Sequence, residues 1–197
     1  MLAAKRDNQP FDYTPIQQQT WSISAFDNLL SHKDIGTKEH SDRLLHLVTA
    51  FGRKVGLSSL ALVELRLFAK FHDLGKVLIP DKILFKEEAL SVDEWKIMKM
   101  HSEIGAQIAA SIKELQHISH YIYHHHEHWD GSGYPEGITG LEIPLPCRIL
   151  SIADAWDAMI NDRPYRKALS YQDAAEEIKR CAGTQFDPTL IDIWRSL

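Results

Sequence analysis

The chain has 197 residues, 44% of them hydrophobic and 25% charged, with 22 lysines and arginines against 27 aspartates and glutamates. That length builds one sizeable core and leaves little for a second domain of ordinary size, while a net charge of −5 excludes a surface made to neutralise a nucleic-acid polymer or an anionic membrane. Two cysteines, Cys147 and Cys181, make no disulfide framework and suit a reducing cytoplasm.

Met1 to Asp7 lacks the apolar region of a secretory signal. The most apolar stretch, 57–71, is interrupted by Glu64, Arg66 and Lys70 and cannot span a bilayer. Residues 1–20 are polar and read as a loose arm. Ile23, Phe26, Leu29 and Leu30 predict a short helix over 21–30, so the expected organisation is an arm with a short helix over 1–35 and one domain over 36–197.

From 38 to 55 the residues Leu44, Leu47, Val48 and Phe51 trace a helical stripe, which extrapolates backwards to His40. From 58 to 71 the stripe Ala61, Leu65 and Phe68 runs on to His72, with Ser58 or Ser59 as cap and Gly75 as the expected stop. Ser91 to Glu94 has the capping-box pattern for a helix reaching about 111, on which Ile97, His101, Ile104 and Ile108 share a face. A helix over 114–126 sets Ile118 and Ile122 in line with His125. One over 147–161 sets Leu150 and Ala158 in line with Asp154. Ser170 caps a further amphipathic helix over 171–181, and Asp187-Pro188 opens a short one. The expected fold is all-α.

Five helices therefore each turn a metal-competent side chain toward one core, where unpartnered polar groups are costly. His72-Asp73 and His125-His126-Glu127 add adjacent ligand types, and Asp130-Gly131-Ser132-Gly133-Tyr134-Pro135 adds a glycine-rich turn. The combination points to a polynuclear metal site acting on a phosphate ester. Lys76, about one turn beyond His72, is placed to neutralise a phosphate oxygen. Glu127 and Asp130 are expected to orient the histidine rings. Gly131 and Gly133 would let the loop backbone approach an anion, Tyr134 would offer a ring or hydroxyl to the ligand, and Pro135 would stiffen the turn. Trp129 and Trp156 are expected to pack, and His32, His46, His117, His120, His124 and His128 to lie at the surface or behind the ligands.

The series His40, His72-Asp73 with Gly75-Lys76, His101, His125-His126-Glu127, Asp130-Gly131, Gly133-Tyr134-Pro135 and Asp154 resembles the HD-GYP family of the HD phosphohydrolase superfamily, from about residue 36 onward. The resemblance implies a helical bundle with iron or manganese in its core, and a bacterial phosphodiesterase that opens cyclic di-GMP to linear pGpG, in some members onward to GMP. It implies that His40, His72, Asp73 and Asp154 hold one metal and that Asp73, His101, His125 and His126 hold the other, with Asp73 bridging and acting beside Lys76 as a catalytic residue. It also implies that Arg163 and Arg166 face the second phosphate or a guanine edge. Three-metal members carry a glutamate four residues before the first histidine. This chain has Gly36 there, so two metals are expected. Nothing in the residues separates cyclic di-GMP from 3′,3′-cyclic GMP-AMP as substrate. A weakly active module that binds the dinucleotide or docks on a diguanylate cyclase is the alternative of another class.

Overall fold

The computed structural model describes residues 38–162 and 167–197; the expected helix over 21–30, His32, Gly36, Arg163 and Arg166 lie outside the described residues. The described chain is all-α, as its periodicity predicts. It has α1 (Lys38–Val55), α2 (Ser59–Phe71), α3 (Asp81–Leu84), α4 (Val92–Lys99), α5 (His101–Ser111), α6 (Ser119–His124), α7 (Leu145–Ile160), α8 (Tyr171–Arg180) and α9 (Pro188–Trp194). Among the described residues the only β-type pairing is a bridge between Ala182 and Phe186. No described helix is long and apolar enough to cross a membrane.

The sequence signals explain most of the boundaries. Ser58 caps α2 by accepting from the Ala61 amide. Ser91 and Glu94 form the complete capping box of α4, Ser170 caps α8, and Asp187 caps α9 with Pro188 at the first position. The stripe of α1 buries Leu44, Val48 and Phe51 against α2 and α7, and Phe51 meets Trp194 of α9 edge-on at 5.1 Å. Each such fully buried aromatic contributes about 1.5–3 kcal/mol of transfer free energy. Trp156 packs between Tyr171 and Trp194, as expected.

Three boundaries differ. The helix expected to run through 91–111 tightens at Met100, whose amide reaches back to the Ile97 carbonyl, and continues as α5. The break separates a segment with no fully buried residue from one that buries His101, Ile104 and Ile108. The helix expected from 114 begins only at Ser119, because Ile112 ends α5 in extended conformation and a 3₁₀ turn over Gln116–Ile118 intervenes. Gly75 does not stop α2, which ends at Phe71. It lies inside a 3₁₀ segment, Leu74–Leu78, that presses on α5. A Cβ on Gly75 would stand 1.9 Å from the His101 carbonyl oxygen, so the glycine is required by backbone contact rather than by helix termination.

Candidate metal centre

Seven side chains from six parts of the chain converge at one end of this bundle. His40 lies in the first turn of α1, His72 caps the end of α2, and Asp73 opens the 3₁₀ segment. His101 is the first residue of α5, His125 and His126 follow α6, and Asp154 sits in α7. They fall into two groups whose donor atoms lie within 4.8 Å of one another: Asp73, His101, His125 and His126 in one, His40, His72 and Asp154 in the other. The expected sets placed Asp73 in both; by this measure it groups with His101, His125 and His126 and stands beside His72 of the other group. Its Oδ1 is 3.4 Å from His101 Nε2 and 3.9 Å from His125 Nε2, and its Oδ2 is 3.4 Å from His72 Nε2. His40 Nε2 is 3.7 Å from Asp154 Oδ1.

The hydrogen bonds settle which ring nitrogens carry protons. Nδ1 of His72 donates to the Ala69 carbonyl, that of His101 to Met98 and that of His125 to Ile122, at 2.6–2.8 Å. With both Nδ1 atoms protonated, Nε2 of neutral His101 and of neutral His125 each present a lone pair, yet the two stand 3.2 Å apart. Two acceptors do not bond each other, and a shared cation resolves the conflict. Asp73 Oδ1 is buried and has no hydrogen-bond partner among the described residues. An orphaned carboxylate oxygen facing unprotonated imidazoles is what a divalent metal site requires, so the donors fit such an ion.

Electrostatics agrees. Burial pushes His125 and His126 well below the usual histidine range, helped by their neighbouring imidazoles, and lowers His101 to about 4. All three are neutral at pH 7, the form that ligates. Burial alone would also lower His72, but the Asp73 carboxylate outweighs it and lifts His72 to about 9. Burial works against the charged form of Asp73, and Lys76 and His72 overcome it to hold the carboxyl well below its ordinary value. Lys76 Nζ donates to Asp73 Oδ2 at 2.7 Å, which places the ammonium at the centre.

The loop after His126 is built by close backbone contact. A Cβ on Gly133 would lie 2.3 Å from the His128 nitrogen and 2.5 Å from the His126 carbonyl oxygen, so this glycine serves packing inside the loop, whereas Gly131 is required by a φ of +81°. Tyr134 stacks on His126 with centroids 4.7 Å apart, and Lys99 Nζ lies 4.9 Å over the tyrosine ring. Trp129 donates its amide to Gln185 and Asp130 donates its own to Thr184, so the loop is tied to the turn between α8 and α9. Trp129 itself packs under the Arg148 guanidinium.

Two expected roles need correction. Glu127 is buried, but its carboxylate accepts the amides of Glu136 and Gly137 at 2.7–3.1 Å and clamps the loop instead of a histidine ring. Asp130 accepts from the Ser132 amide in a local turn. Backbone carbonyls take the place of both as ring partners. Of the remaining histidines, His46, His117 and His120 are exposed and His124 pairs with Glu136. His128 lines a cavity of about 160 Å³ beside the ligands, together with Ser151, Gln185 and Asp154. Sequence reasoning gave no role to Asp157 or Arg43, which stand behind His40; the signal available was the spacing of Asp157, three residues after Asp154 on the same helix.

An HD domain family model matches residues 24–190. A cyclic di-GMP phosphodiesterase of Thermotoga maritima is 34% identical over 188 residues, covering 94% of this chain and 51% of that protein. A 3′3′-cGAMP-specific phosphodiesterase of Vibrio cholerae is 36% identical over 156 residues, covering 78% of this chain and 28% of that one. Among solved structures, a cyclic GMP-AMP-specific phosphodiesterase of V. cholerae superposes with a TM-score of 0.66 at 21% identity, over 87% of this chain and 46% of that one, and shares the fold. The chain belongs to the HD-domain family, in its HD-GYP branch. It spans about half or less of the length of these curated relatives.

Proposed function

We propose that this domain is a metal-dependent phosphodiesterase that hydrolyses cyclic di-GMP to linear pGpG, acting on a cytoplasmic second messenger. The observation that carries the reading is the placement of Asp73, whose Oδ1 faces the neutral imidazoles of His101 and His125 while its Oδ2 faces His72 of the other group. In this reading His40, His72, Asp73 and Asp154 hold one divalent ion and Asp73, His101, His125 and His126 hold the other. Mixed imidazole and carboxylate donors suit iron or manganese. When bound, such a pair supplies Lewis acidity to a phosphate oxygen and lowers the pKa of a water.

The chain's own residues do the rest. Lys76 brings a positive charge to the edge of the centre, where it offsets charge building on a phosphate oxygen. Tyr134, held on His126 and under Lys99, presents a fixed ring beside the second group of histidines. A cavity of about 160 Å³ opens beside His72, His125, His126 and Asp154. Arg163 and Arg166 are the assigned contacts for the second phosphate or a guanine edge. Because Gly36 replaces the glutamate of three-metal members, the assignment is a two-metal centre whose reaction stops at pGpG. Hydrolysis of cyclic GMP-AMP is the second reading, favoured by the Vibrio relative.

The test is anaerobic reconstitution with ferrous iron or manganese, metal analysis of the same sample, and chromatography of products from both dinucleotides. Conversion of cyclic di-GMP to pGpG at about two ions per chain is expected. Preferred turnover of cyclic GMP-AMP would move the assignment to the second substrate. Full metal occupancy with no product from either would overturn the enzyme in favour of a dinucleotide-binding module that docks on a partner such as a diguanylate cyclase.

A further inference from the structure

His40 is held differently from three other histidines of the centre. His72, His101 and His125 each give Nδ1 to a backbone carbonyl. His40 gives Nδ1 to a carboxylate, Asp157 Oδ2, at 2.7 Å. Asp157 is only 1% exposed, and its other partners fix it. Arg43 Nε donates to Oδ1 at 2.6 Å and its Nη2 to Oδ2 at 3.0 Å, a two-point grip, while Asn161 Nδ2 donates to Oδ1 at 3.1 Å. With its oxygens so engaged, the carboxylate is turned away from the centre, and His40 Nε2 is left facing Asp154 Oδ1.

The arrangement makes α7 supply two things one turn apart: Asp154, a candidate ligand, and Asp157, the group that aims the ligand on α1. A carboxylate behind an imidazole fixes both tautomer and ring orientation and raises the basicity of the opposite nitrogen more than a carbonyl does. We infer that Asp157 is a positioning residue for the first metal site, the one formed by His40, His72 and Asp154, and sets the affinity of that site independently of the second. The inference rests on the metal-binding reading above and extends it to a difference between the two sites.

The experiment is a titration of the metal-free protein with Mn(II), with free ion counted by its magnetic-resonance signal, for the wild type, Asp157→Asn and Arg43→Met. The wild type is expected to take about two ions. In D157N one ion should bind as in the wild type and the other about 10- to 100-fold more weakly, with the paired-ion signal replaced by that of isolated Mn(II). D157N that holds both ions at wild-type affinity, or loses both together, overturns the inference. R43M separates positioning from a merely structural ion pair, because it strips the carboxylate of Arg43 and leaves the contact to His40. A smaller loss at the first ion than in D157N, with the second unchanged, supports the positioning role, and weakening of both ions assigns the effect to the structural ion pair and overturns it. A wild type that takes up no manganese at all overturns the metal reading beneath.

Discussion

Replacing Gly75 by alanine tests whether the centre depends on the close approach of two backbones. The new Cβ would lie 1.9 Å from the His101 carbonyl oxygen, 2.5 Å from the Gly105 nitrogen and 2.8 Å from the His101 carbonyl carbon. Ordinary contact begins near 3.4 Å, so the 3₁₀ segment and α5 must part by roughly 1.5 Å. All three atoms are backbone, and no rotamer change relieves the clash. Overpacking costs about 1–3 kcal/mol, and G75A belongs at the upper end, about 3 kcal/mol. That is a large share of the roughly 5–15 kcal/mol that holds a domain together. With a urea m-value of about 2 kcal/mol/M, the unfolding midpoint should fall by about 1.5 M. The same displacement pulls His101 away from Asp73, now 3.4 Å apart, so manganese affinity at the second site should drop as well. Gly56→Ala is the control: its φ of +89° is the obstacle and no atom lies within 4 Å, so it should cost about 1–2 kcal/mol and leave metal binding intact. A G75A protein within about 0.5 kcal/mol of wild type, with unchanged metal affinity, would refute the close-packing argument.

Lys76→Met should lower kcat by about 10²-fold with metal content unchanged, and a loss confined to KM would show that the ammonium acts in binding alone. Glu127→Ala removes the acceptor of two loop amides and should cost about 1–3 kcal/mol; an unshifted unfolding midpoint would count against the clamp. The metal-free protein should be most stable near pH 6.5. His72, raised to about 9 when folded, contributes stability that is complete below about 6.5 and lost as pH climbs through 9. His101, lowered to about 4, contributes stability present above 6.5 and lost as pH falls toward 4. Denaturant midpoints measured in chelator from pH 5 to 9 should trace that maximum, and a monotonic rise across the range would contradict it. Because His72 is protonated at pH 7.5, filling the centre should also release about one proton per chain, read with an indicator in weak buffer.

Most of the convergence of the candidate ligands was legible because helical phase and chemistry coincide. Leu44, Val48 and Phe51 must face the core, and a residue one turn before Leu44 must face it too, which places His40. Ser58 and Ser91 announced their helices by the hydrogen bonds they make. What escaped was set by long-range contact. Gly75 reads as a terminator in one dimension and as a spacer against α5 in three. Glu127 lies beside the histidine pair, but it binds amides nine and ten residues away, a distance no local pattern encodes. Asp157 carries the same side chain as Asp154, and only the arrival of α1 beside α7 distinguishes a candidate ligand from the group that holds one.

The amides of Trp129 and Asp130, fixed to Gln185 and Thr184, have a consequence for the order of events during synthesis. A growing chain carries His125 and His126 more than fifty residues before it carries the turn that fixes the loop behind them. Until that turn has emerged and docked, the loop has only its local contacts, the Glu127 clamp and the Tyr134 stack, and lacks the long-range pair that ties it to the bundle. On the metal-binding proposal, a chain cut before Thr184 should therefore take up manganese more weakly than the full chain, and equal uptake by the two would count against this dependence.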